Sequence, residues 1–319
     1  MRILGIEIGG TKLQLGVRDE NDAELTALER VSVSSDWGPE EIRSAIVEAG
    51  RELKKRHEFE RVGIGFGGPI DAATGAIVKS HQVPGWEGFP IRAWAEREFG
   101  VPAAVGNDSD LAGLAEAAFG AGRGQRVVYY TNCGSGIGGA LVIDGSLYSG
   151  GRGIAVEPGH LRPGLACESE EATVEAIASG WGITRQVQAA LREPADPTRH
   201  DVSELLEACG GDPRRLTTKR IAVAALGGNQ IAKAAFERAA EVFGWAVAQA
   251  VTLFAPNVVV LGGGVPMADD SLFLDPVRRH VNRYVFPTFR GRFQILRARL
   301  GEEMVVHGAI ALCASRCGR

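Results

Sequence analysis

Three glycine-rich loops carry the residue types and spacing in this sequence that could do chemistry. Each follows an apolar run, and the loops are Gly9-Gly10-Thr11, Gly134-Ser135-Gly136 and Gly262-Gly263-Gly264. Glycine lets the backbone N–H groups of such a loop approach an anion closely. Any one of these loops can equally be an ordinary hairpin turn. Three of them in one chain favour contacts to the phosphates and the adenosine of a nucleotide.

Two common nucleotide-binding motifs are excluded. Gly134, Gly136 and Gly139 match the spacing GxGxxG, but a dinucleotide-binding fold needs a helix to begin within that loop. Here the residues after the loop alternate into a second strand that ends at an Asp-Gly turn. A Walker A loop is also absent, because Gly10-Thr11-Lys12 has the wrong order of residues.

The first two loops belong to a repeated pattern of strand, glycine turn and strand. Residues 2–17 show this pattern first and residues 126–146 repeat it, which predicts two similar lobes. Strands that alternate with helices indicate an α/β fold, and the hairpins make its sheets mixed rather than purely parallel. Helices are predicted over residues 39–59, from 107 or 108 onward, and over 170–191, 230–254 and 304–314.

Composition excludes several classes of function. The 319 residues suit two domains of roughly 150 residues each. With 45% hydrophobic and 23% charged residues, neither a disordered chain nor a membrane protein is expected. A net charge of −4 offers no basic surplus for nucleic acid or for an anionic bilayer. The five cysteines are scattered and the sequence has no signal-peptide pattern, so a cytoplasmic protein that acts on small molecules is predicted.

Eight motifs follow one another along nearly the whole chain: IEIGGTK, VGIGFGGPID, VPGWEGFPI, GNDSDLAGLAEAAFGAG, NCGSGIGGALVIDG, EPGH, VEAIASG and VVVLGGGV. In order and spacing they resemble the ROK family of sugar kinases, within the actin-like ATPase and hexokinase superfamily. The resemblance implies two actin-like (ribonuclease H-like) lobes, each a mixed sheet flanked by helices, with a cleft between them. It implies an N-terminal lobe of residues 1–118, completed by a C-terminal helix over 304–319. Residues 119–303 would form the C-terminal lobe.

The same resemblance implies ATP-dependent phosphorylation of a hexose at its 6-hydroxyl, with glucose as the expected sugar and with ATP and Mg²⁺ as cofactors. Asp108 stands where family kinases hold the aspartate that accepts the hydroxyl proton. The sugar would contact Gly68, Asn107, Asp108, Glu157, His160 and Glu175. The nucleotide would contact Glu7, Gly9, Gly10, Thr11, Lys12, Gly134, Ser135, Gly136, Gly263 and Gly264.

Plainer roles are open for several of these residues. Asn107 or Asp108 could cap the helix that follows, and Lys12 could be a solvated lysine on a hairpin. His160 could be a hydrogen-bonded structural residue, and Glu157 could be a solvated carboxylate, as could Glu175. Their case as ligands depends on a fold that brings separate segments together.

Other functions are open as well. The substrate could be another hexose or an N-acylated hexosamine, such as fructose, mannose or N-acetylmannosamine, and inorganic polyphosphate could replace ATP as donor. A catalytically weak sugar-binding regulator is a further alternative. The DNA-binding repressors of the family are not expected, because the first glycine loop begins at Gly9 and leaves no room for a preceding DNA-binding domain. The similarity also suggests a homodimer.

Two departures from the family pattern matter. Glu7 stands where the family has Asp, which keeps the charge and adds one methylene. The family commonly binds zinc through a His and three cysteines after the EPGH motif, whereas here His160 has no matching cysteines. Cys167 is out of position, and Thr173 stands where the last zinc-binding cysteine would be. Because a structural zinc site needs four nitrogen or sulfur ligands, no structural zinc is expected.

Overall fold

A computed structural model describes residues 1–20, 22, 24–80, 83–151, 153–169, 171–192 and 200–315. The strands are β1 Arg2–Ile8, β2 Lys12–Asp19, β3 Ala27–Ser32, β4 Arg61–Phe66, β5 Ile70–Asp71, β6 Ala76–Ile77, β7 Ala103–Asn107, β8 Val127–Asn132, β9 Gly139–Ile143, β10 Ser146–Leu147, β11 Val258–Gly262 and β12 Gln294–Arg297. The helices are α1 Pro39–Arg56, α2 Ile91–Phe99, α3 Asp108–Ala118, α4 Val174–Ala178, α5 Gly180–Arg192, α6 His200–Ala208, α7 Thr218–Gly227, α8 Gln230–Phe254, α9 Leu274–Tyr284 and α10 Met304–Ser315. Within the described ranges, no helix is both long and apolar enough to span a membrane.

The chain divides into two compact units. The first contains Met1–Tyr130, Ala140–Val156 and Ala298–Arg319, and the second contains Thr131–Gly139 and Glu157–Arg297. The lobe boundary after residue 118 stays a prediction, and residues 316–319 of the predicted C-terminal helix lie outside the described residues.

The first sheet contains the first glycine loop. Its strand order is β3-β2-β1-β4-β7, with β2 antiparallel to its neighbours β3 and β1, and with β1, β4 and β7 parallel. The register of β1 and β2 pairs Glu7 with Gln14 and Ile8 with Leu13. Residues 9–11 therefore form a tight turn between adjacent strands, as the sequence predicts.

Helices pack on both faces of this first sheet. On one face, apolar side chains of β1, β2 and β4 form a single buried cluster with those of α1 and α2. On the other face, α10 lies very close to the sheet. A Cβ at Gly5 would meet the Val306 carbonyl oxygen at 2.6 Å, and one at Gly63 would overlap the Ala309 carbonyl group. Glycine at these two positions is what allows α10 to pack so closely.

Glu116 in α3 fixes the path by which the chain returns to this unit. The side chain is fully buried, and its Oε1 accepts hydrogen bonds from the Arg299 and Leu300 amides at 2.8 and 2.9 Å. Its Oε2 accepts the Ala121 amide at 2.7 Å. A buried carboxylate needs such donors, because an unpaired one would cost several kcal/mol. The two bonds from Arg299 and Leu300 therefore set the entry into α10.

The second sheet repeats the arrangement of the first. Its strand order is β10-β9-β8-β11-β12, with β10 and β9 antiparallel and β11 and β12 parallel. Each sheet thus has two strands joined by a glycine turn in the middle and two parallel strands at one side. The mixed α/β class and the internal duplication predicted from the sequence are both confirmed.

The helices of the second unit follow the prediction with one correction. Helix α8 has the predicted bounds, and its N-cap Asn229 accepts the Ala232 amide at 3.1 Å. The single helix predicted over 170–191 is wrong, because the structure has α4 and α5 there and Glu170 lies outside the described residues. Helix α4 ends at Ala178, and its C-cap Ser179 has an extended backbone with φ −67° and ψ 166°. Periodicity does not detect such a one-residue break.

Candidate active site

Asn107 and Asp108 lie at the junction of β7 and α3. The N-cap of α3 is Asn107, whose Oδ1 accepts the Ser109 and Asp110 amides at 2.9 and 3.3 Å. Its Nδ2 donates to the Gly68 carbonyl oxygen at 3.1 Å, so three predicted sugar ligands are brought together. Of the two candidate caps, the structure selects Asn107, and Asp108 is the first residue of the helix.

The Asp108 carboxyl group has the environment of a proton acceptor. Burial raises its pKa above the ordinary value, and hydrogen bonds from Ser109 act in the opposite direction. The Ser109 amide donates to Asp108 Oδ1 at 2.7 Å. A carboxylate at a helix N-terminus is stabilised by the helix dipole, while a raised pKa makes it a stronger base. The arrangement suits abstraction of a hydroxyl proton.

Gly68 is required by its backbone surroundings. A Cβ at this position would overlap the Lys79 carbonyl oxygen, so only glycine allows the segment after β4 to fold back here. The Gly68 amide also donates to the Phe66 carbonyl oxygen at 2.9 Å. The close approach of the Lys79 carbonyl oxygen explains why this residue is glycine, without any need for a ligand. The hydrogen bond from Asn107 places Gly68 beside the candidate base Asp108.

The first glycine loop lies close to Glu7. The Gly9 amide donates to the Lys12 carbonyl oxygen at 3.1 Å, and the Val33 amide donates to that of Thr11 at 3.0 Å. Burial raises the pKa of Glu7, the nearby Lys12 ammonium lowers it, and the Asp108 carboxylate raises it further. Glu7 is therefore within electrostatic range of both Lys12 and the candidate base.

Gln14 and Glu302 lie near Glu7, and neither of them was identified from the sequence. Gln14 Nε2 donates to Glu7 Oε2 at 2.8 Å, and Glu302 Oε2 pairs with Lys12 Nζ at 3.4 Å. Lys12 is thus ion-paired rather than simply solvated. The contact of Gln14 could be predicted from the sequence, because the hairpin register places it opposite Glu7. The contact of Glu302 could not be predicted, since this residue lies 290 positions from Lys12.

In the second unit, the second glycine loop packs against Glu175. The Gly134 amide donates to the Gly136 carbonyl oxygen at 2.9 Å. The Ile137 amide donates to Glu175 Oε2 at 2.7 Å, and a Cβ at Gly136 would meet that same oxygen at 2.7 Å. Glu175 is therefore a partner of the glycine loop and not an ordinary solvated carboxylate. The Ser135 side chain is exposed at the loop.

The EPGH motif forms a turn that touches the same loop. The His160 amide donates to the Glu157 carbonyl oxygen at 3.2 Å, and both side chains are exposed. A Cβ at Gly159 would overlap the Ile137 carbonyl oxygen and would lie 3.3 Å from Glu175 Cβ. The structure thus brings the turn that carries Glu157 and His160, and the helix that carries Glu175, to the second glycine loop.

The third glycine loop is joined to the second through the backbone. Cys133 donates its amide to the Gly262 carbonyl oxygen at 2.9 Å, and its carbonyl accepts the Val265 amide at 3.0 Å. Gly263 has φ +86°, and a Cβ there would overlap the Cys133 carbonyl group. In the part of the chain that the structure describes, no heavy atom other than those of its sequence neighbours lies within 4 Å of a Cβ built on Gly264. Gly263 is therefore required for packing, whereas Gly264 borders open space.

Helix α4, which carries Glu175, is anchored by protein contacts. Thr173 Oγ1 accepts the Ala176 amide at 3.2 Å, and the Val174 amide donates to the Leu161 carbonyl oxygen at 2.8 Å. The Val174 and Ala178 side chains are fully buried. Among the described residues, which omit Glu170, no group of three or more His, Cys, Asp or Glu side chains could hold a metal ion. The absence of structural zinc stays a prediction.

The fold matches that of known proteins. The chain belongs to the ROK family, whose family model matches residues 3–316. A glucokinase of Thermotoga maritima is 30% identical over 322 residues, covering 100% of this chain and 99% of that protein. A ROK hexokinase structure from Thermus thermophilus has a TM-score of 0.83 and 29% identity, covering 100% and 99% of the two chains. A ROK glucokinase structure from Streptomyces griseus, in complex with glucose and AMPPNP, has a TM-score of 0.79 and 30% identity, covering 98% and 99%.

Proposed function

We propose that this protein is a glucokinase, which transfers the terminal phosphoryl group of ATP to the 6-hydroxyl of glucose. The observation that carries the proposal is Asp108, a half-buried carboxylate at the start of α3 that follows the capping residue Asn107 and whose pKa is raised by desolvation. The glucokinase relatives at about 30% identity over the whole chain support the substrate and the donor.

Asp108 accepts the proton of the sugar hydroxyl in this reaction. The hydroxyl oxygen forms a bond to the terminal phosphorus, the bond from that phosphorus to the bridging oxygen of ADP breaks, and the hydroxyl proton moves to the Asp108 carboxylate. Asn107 cannot move during this step without breaking its cap bonds and its bond to Gly68. It therefore keeps Asp108 in place while the proton is transferred.

Glu157, His160 and Glu175 bind the sugar hydroxyls in this proposal. Glu157 and His160 have exposed side chains in one short turn, and Glu175 is held beside them by Ile137. A sugar needs several fixed donors and acceptors, because each unpaired polar group in a closed site costs about 1 to 3 kcal/mol. The grouping of an imidazole with two carboxylates meets that need.

The glycine loops fit the triphosphate of ATP. The exposed loop at Gly134 and the open space at Gly264 leave room for phosphate oxygens and adenosine where a side chain would intrude. In the first unit, Gly9, Gly10 and Thr11 offer a backbone turn, and Lys12 supplies a positive charge. Mg²⁺ would arrive with the nucleotide and neutralise phosphate charge during transfer.

We further propose that the enzyme holds no structural zinc. The Thr173 cap, the backbone bond from Val174 to Leu161 and the burial of Val174 supply the anchoring that a metal would give the loop before α4. His160 is then available to the sugar through both ring nitrogens.

The remaining proposals concern surroundings and assembly. The acidic net charge and scattered cysteines support a cytoplasmic enzyme that binds neither nucleic acid nor membrane. A homodimer is proposed from family similarity. Light scattering coupled to gel filtration tests it, and a mass of one chain at micromolar concentration would contradict it.

A coupled assay of sugar phosphate formation, which detects transfer from either donor, tests the function. Glucose, fructose, mannose and N-acetylmannosamine are supplied with ATP, and glucose is also supplied with inorganic polyphosphate as donor. The proposal expects the highest kcat/KM for glucose with ATP. A higher value for another sugar or for polyphosphate would replace the substrate or the donor. Sugar binding by calorimetry without turnover would favour the sugar-binding regulator.

A further inference from the structure

Gln14 is a fully buried polar residue on β2, directly opposite Glu7 on β1. Its Nε2 donates to Glu7 Oε2 and to the Glu302 carbonyl oxygen, both at 2.8 Å. Its Oε1 accepts from Arg30 Nε at 3.3 Å. Both amide hydrogens and the amide oxygen are therefore used, and the amide has a single orientation that satisfies all three partners.

The partners of Gln14 are themselves held in place. Arg30 Nη2 pairs with Glu303 Oε1 at 2.5 Å, and Lys12 Nζ pairs with Glu302 Oε2 at 3.4 Å. Gln14 is thus fixed from the two neighbouring strands and from the turn that precedes α10. A side chain locked in this way can fix the group to which it donates.

Glu7 needs that bond because it is longer than the Asp expected from the family. An Asp on the same backbone would end about 1.5 Å short of the Glu carboxylate, too far to keep a hydrogen bond that now measures 2.8 Å. The extra methylene of Glu7 and the amide of Gln14 are therefore a matched pair in this chain.

We propose that Gln14 is a positioning residue for phosphoryl transfer, which holds the Glu7 carboxylate in one orientation beside the first glycine loop. The inference rests on the proposed function, in which that loop meets the nucleotide. Gln14 touches no reacting atom and acts through Glu7 alone.

The charges around Glu7 explain why a fixed orientation is needed. Lys12 attracts the carboxylate, whereas Asp108 and Glu302 repel it. Without the Gln14 bond, the carboxylate would turn toward Lys12 and away from Asp108. The group would then lose the position that the phosphate loop requires.

Gln14→Met tests the proposal, because it keeps the length of the side chain and removes both donors. Loss of a hydrogen bond to a charged group predicts that kcat/KM for ATP falls about tenfold or more. The affinity for glucose without nucleotide stays within about twofold of the wild type. Ile46→Val in the core of α1 is the control, because it lowers stability without touching a polar group. It keeps the wild-type kcat.

The variant Glu7→Asp provides a second test of the proposal. Because Asp cannot reach Gln14, this variant already lacks the bond, and adding Gln14→Met to it lowers kcat/KM by no more than about twofold further. Arg30→Met covers the case in which Gln14→Met does not fold, since Arg30 is exposed and its Nε donates to the Gln14 amide oxygen. It lowers kcat/KM about two- to threefold.

The inference is overturned if Gln14→Met keeps more than half of the wild-type kcat/KM for ATP, or if its effect multiplies with that of Glu7→Asp. Calorimetric titration with Mg-ADP separates this result from a failure of the proposed function. If the wild type phosphorylates no hexose, the function is wrong, yet a tenfold weaker Kd for Mg-ADP in Gln14→Met still supports the positioning role. An unchanged Kd in that case refutes it.

Discussion

A buried histidine makes the stability of the first unit depend on pH. His307 in α10 has its Nδ1 2.9 Å from Nη1 of Arg18, and both side chains are buried. Arg18 keeps its proton at neutral pH, since burial lowers its pKa only to about 10, so His307 Nδ1 must be the acceptor. Burial, with the nearby Arg18 charge, lowers the pKa of His307 to about 4.

The sign and size of the effect follow from this pKa. An unfolded histidine takes up a proton near pH 6.5, whereas folded His307 does so only near pH 4. Between these values the unfolded state binds more protons, so the free energy of unfolding falls as the pH falls. The contribution of neutral His307 to the free energy of unfolding is complete above about pH 7, and about 2 kcal/mol of it is lost by pH 5.

Protonation would also remove the acceptor of Arg18. Among the described residues, Arg18 Nε and Nη2 have no hydrogen-bond partner, and the guanidinium lies 4.0 Å from the Phe119 ring centroid. The bond to His307 is thus important for a charge that is otherwise poorly paired.

His307→Gln tests the reasoning, because Gln keeps an acceptor for Arg18 and does not titrate. Urea unfolding at pH 7.5 and pH 5 gives the free energy of unfolding of each protein. The difference between wild type and variant should move by about 2 kcal/mol in favour of the variant at pH 5. Ile310→Val, also buried in α10, removes no titratable group and should differ from the wild type equally at both pH values. Equal changes in the free energies of unfolding of wild type and His307→Gln between pH 7.5 and pH 5 would refute the argument.

Three further predictions concern the candidate site. Asp108→Asn should lower kcat at least about 100-fold and leave glucose affinity within about threefold, and a variant with a tenth of the wild-type kcat would exclude Asp108 as the main base. Gly263→Ala should lower the free energy of unfolding by more than about 2 kcal/mol through its positive φ and its clash with Cys133. Gly264→Ala should keep the wild-type free energy of unfolding and raise KM for ATP. Equal free energies of unfolding of the two variants in urea would contradict the different roles of Gly263 and Gly264. Elemental analysis after dialysis should find less than a tenth of a zinc per chain, and unfolding by a zinc chelator in excess Mg²⁺ would show that a metal holds α4.

The regular elements could be predicted because their signals are local. The hairpin at Gly9 shows an apolar run on each side of its glycine turn, and the 25 residues of α8 show the helical period. The sequence left Asn107 and Asp108 as alternative N-caps of α3, and only the hydrogen bonds of Asn107 decide between them. The break at Ser179 was missed, because one extended residue between two helices leaves the apolar period almost unchanged.

The long-range contacts of the first unit could not be predicted, since their partners are distant in sequence. Glu116 meets Arg299 and Leu300 after more than 180 residues, and Arg18 meets His307 after 289. Nothing local marks such pairs. Gln14 is the exception, because its pairing with Glu7 follows from a hairpin register that the sequence already implies.

The return of α10 to the first sheet has a consequence for how the protein is made. Residues 298–315 leave the ribosome after the whole of 157–297, so β1 and β4 are synthesised long before the helix that packs on Gly5 and Gly63. Until then one face of the sheet is uncovered and the Glu116 carboxylate lacks two of its donors. Nascent chains that stop before residue 298 should therefore aggregate or bind chaperones, and the first unit should reach its native state only after the second has emerged.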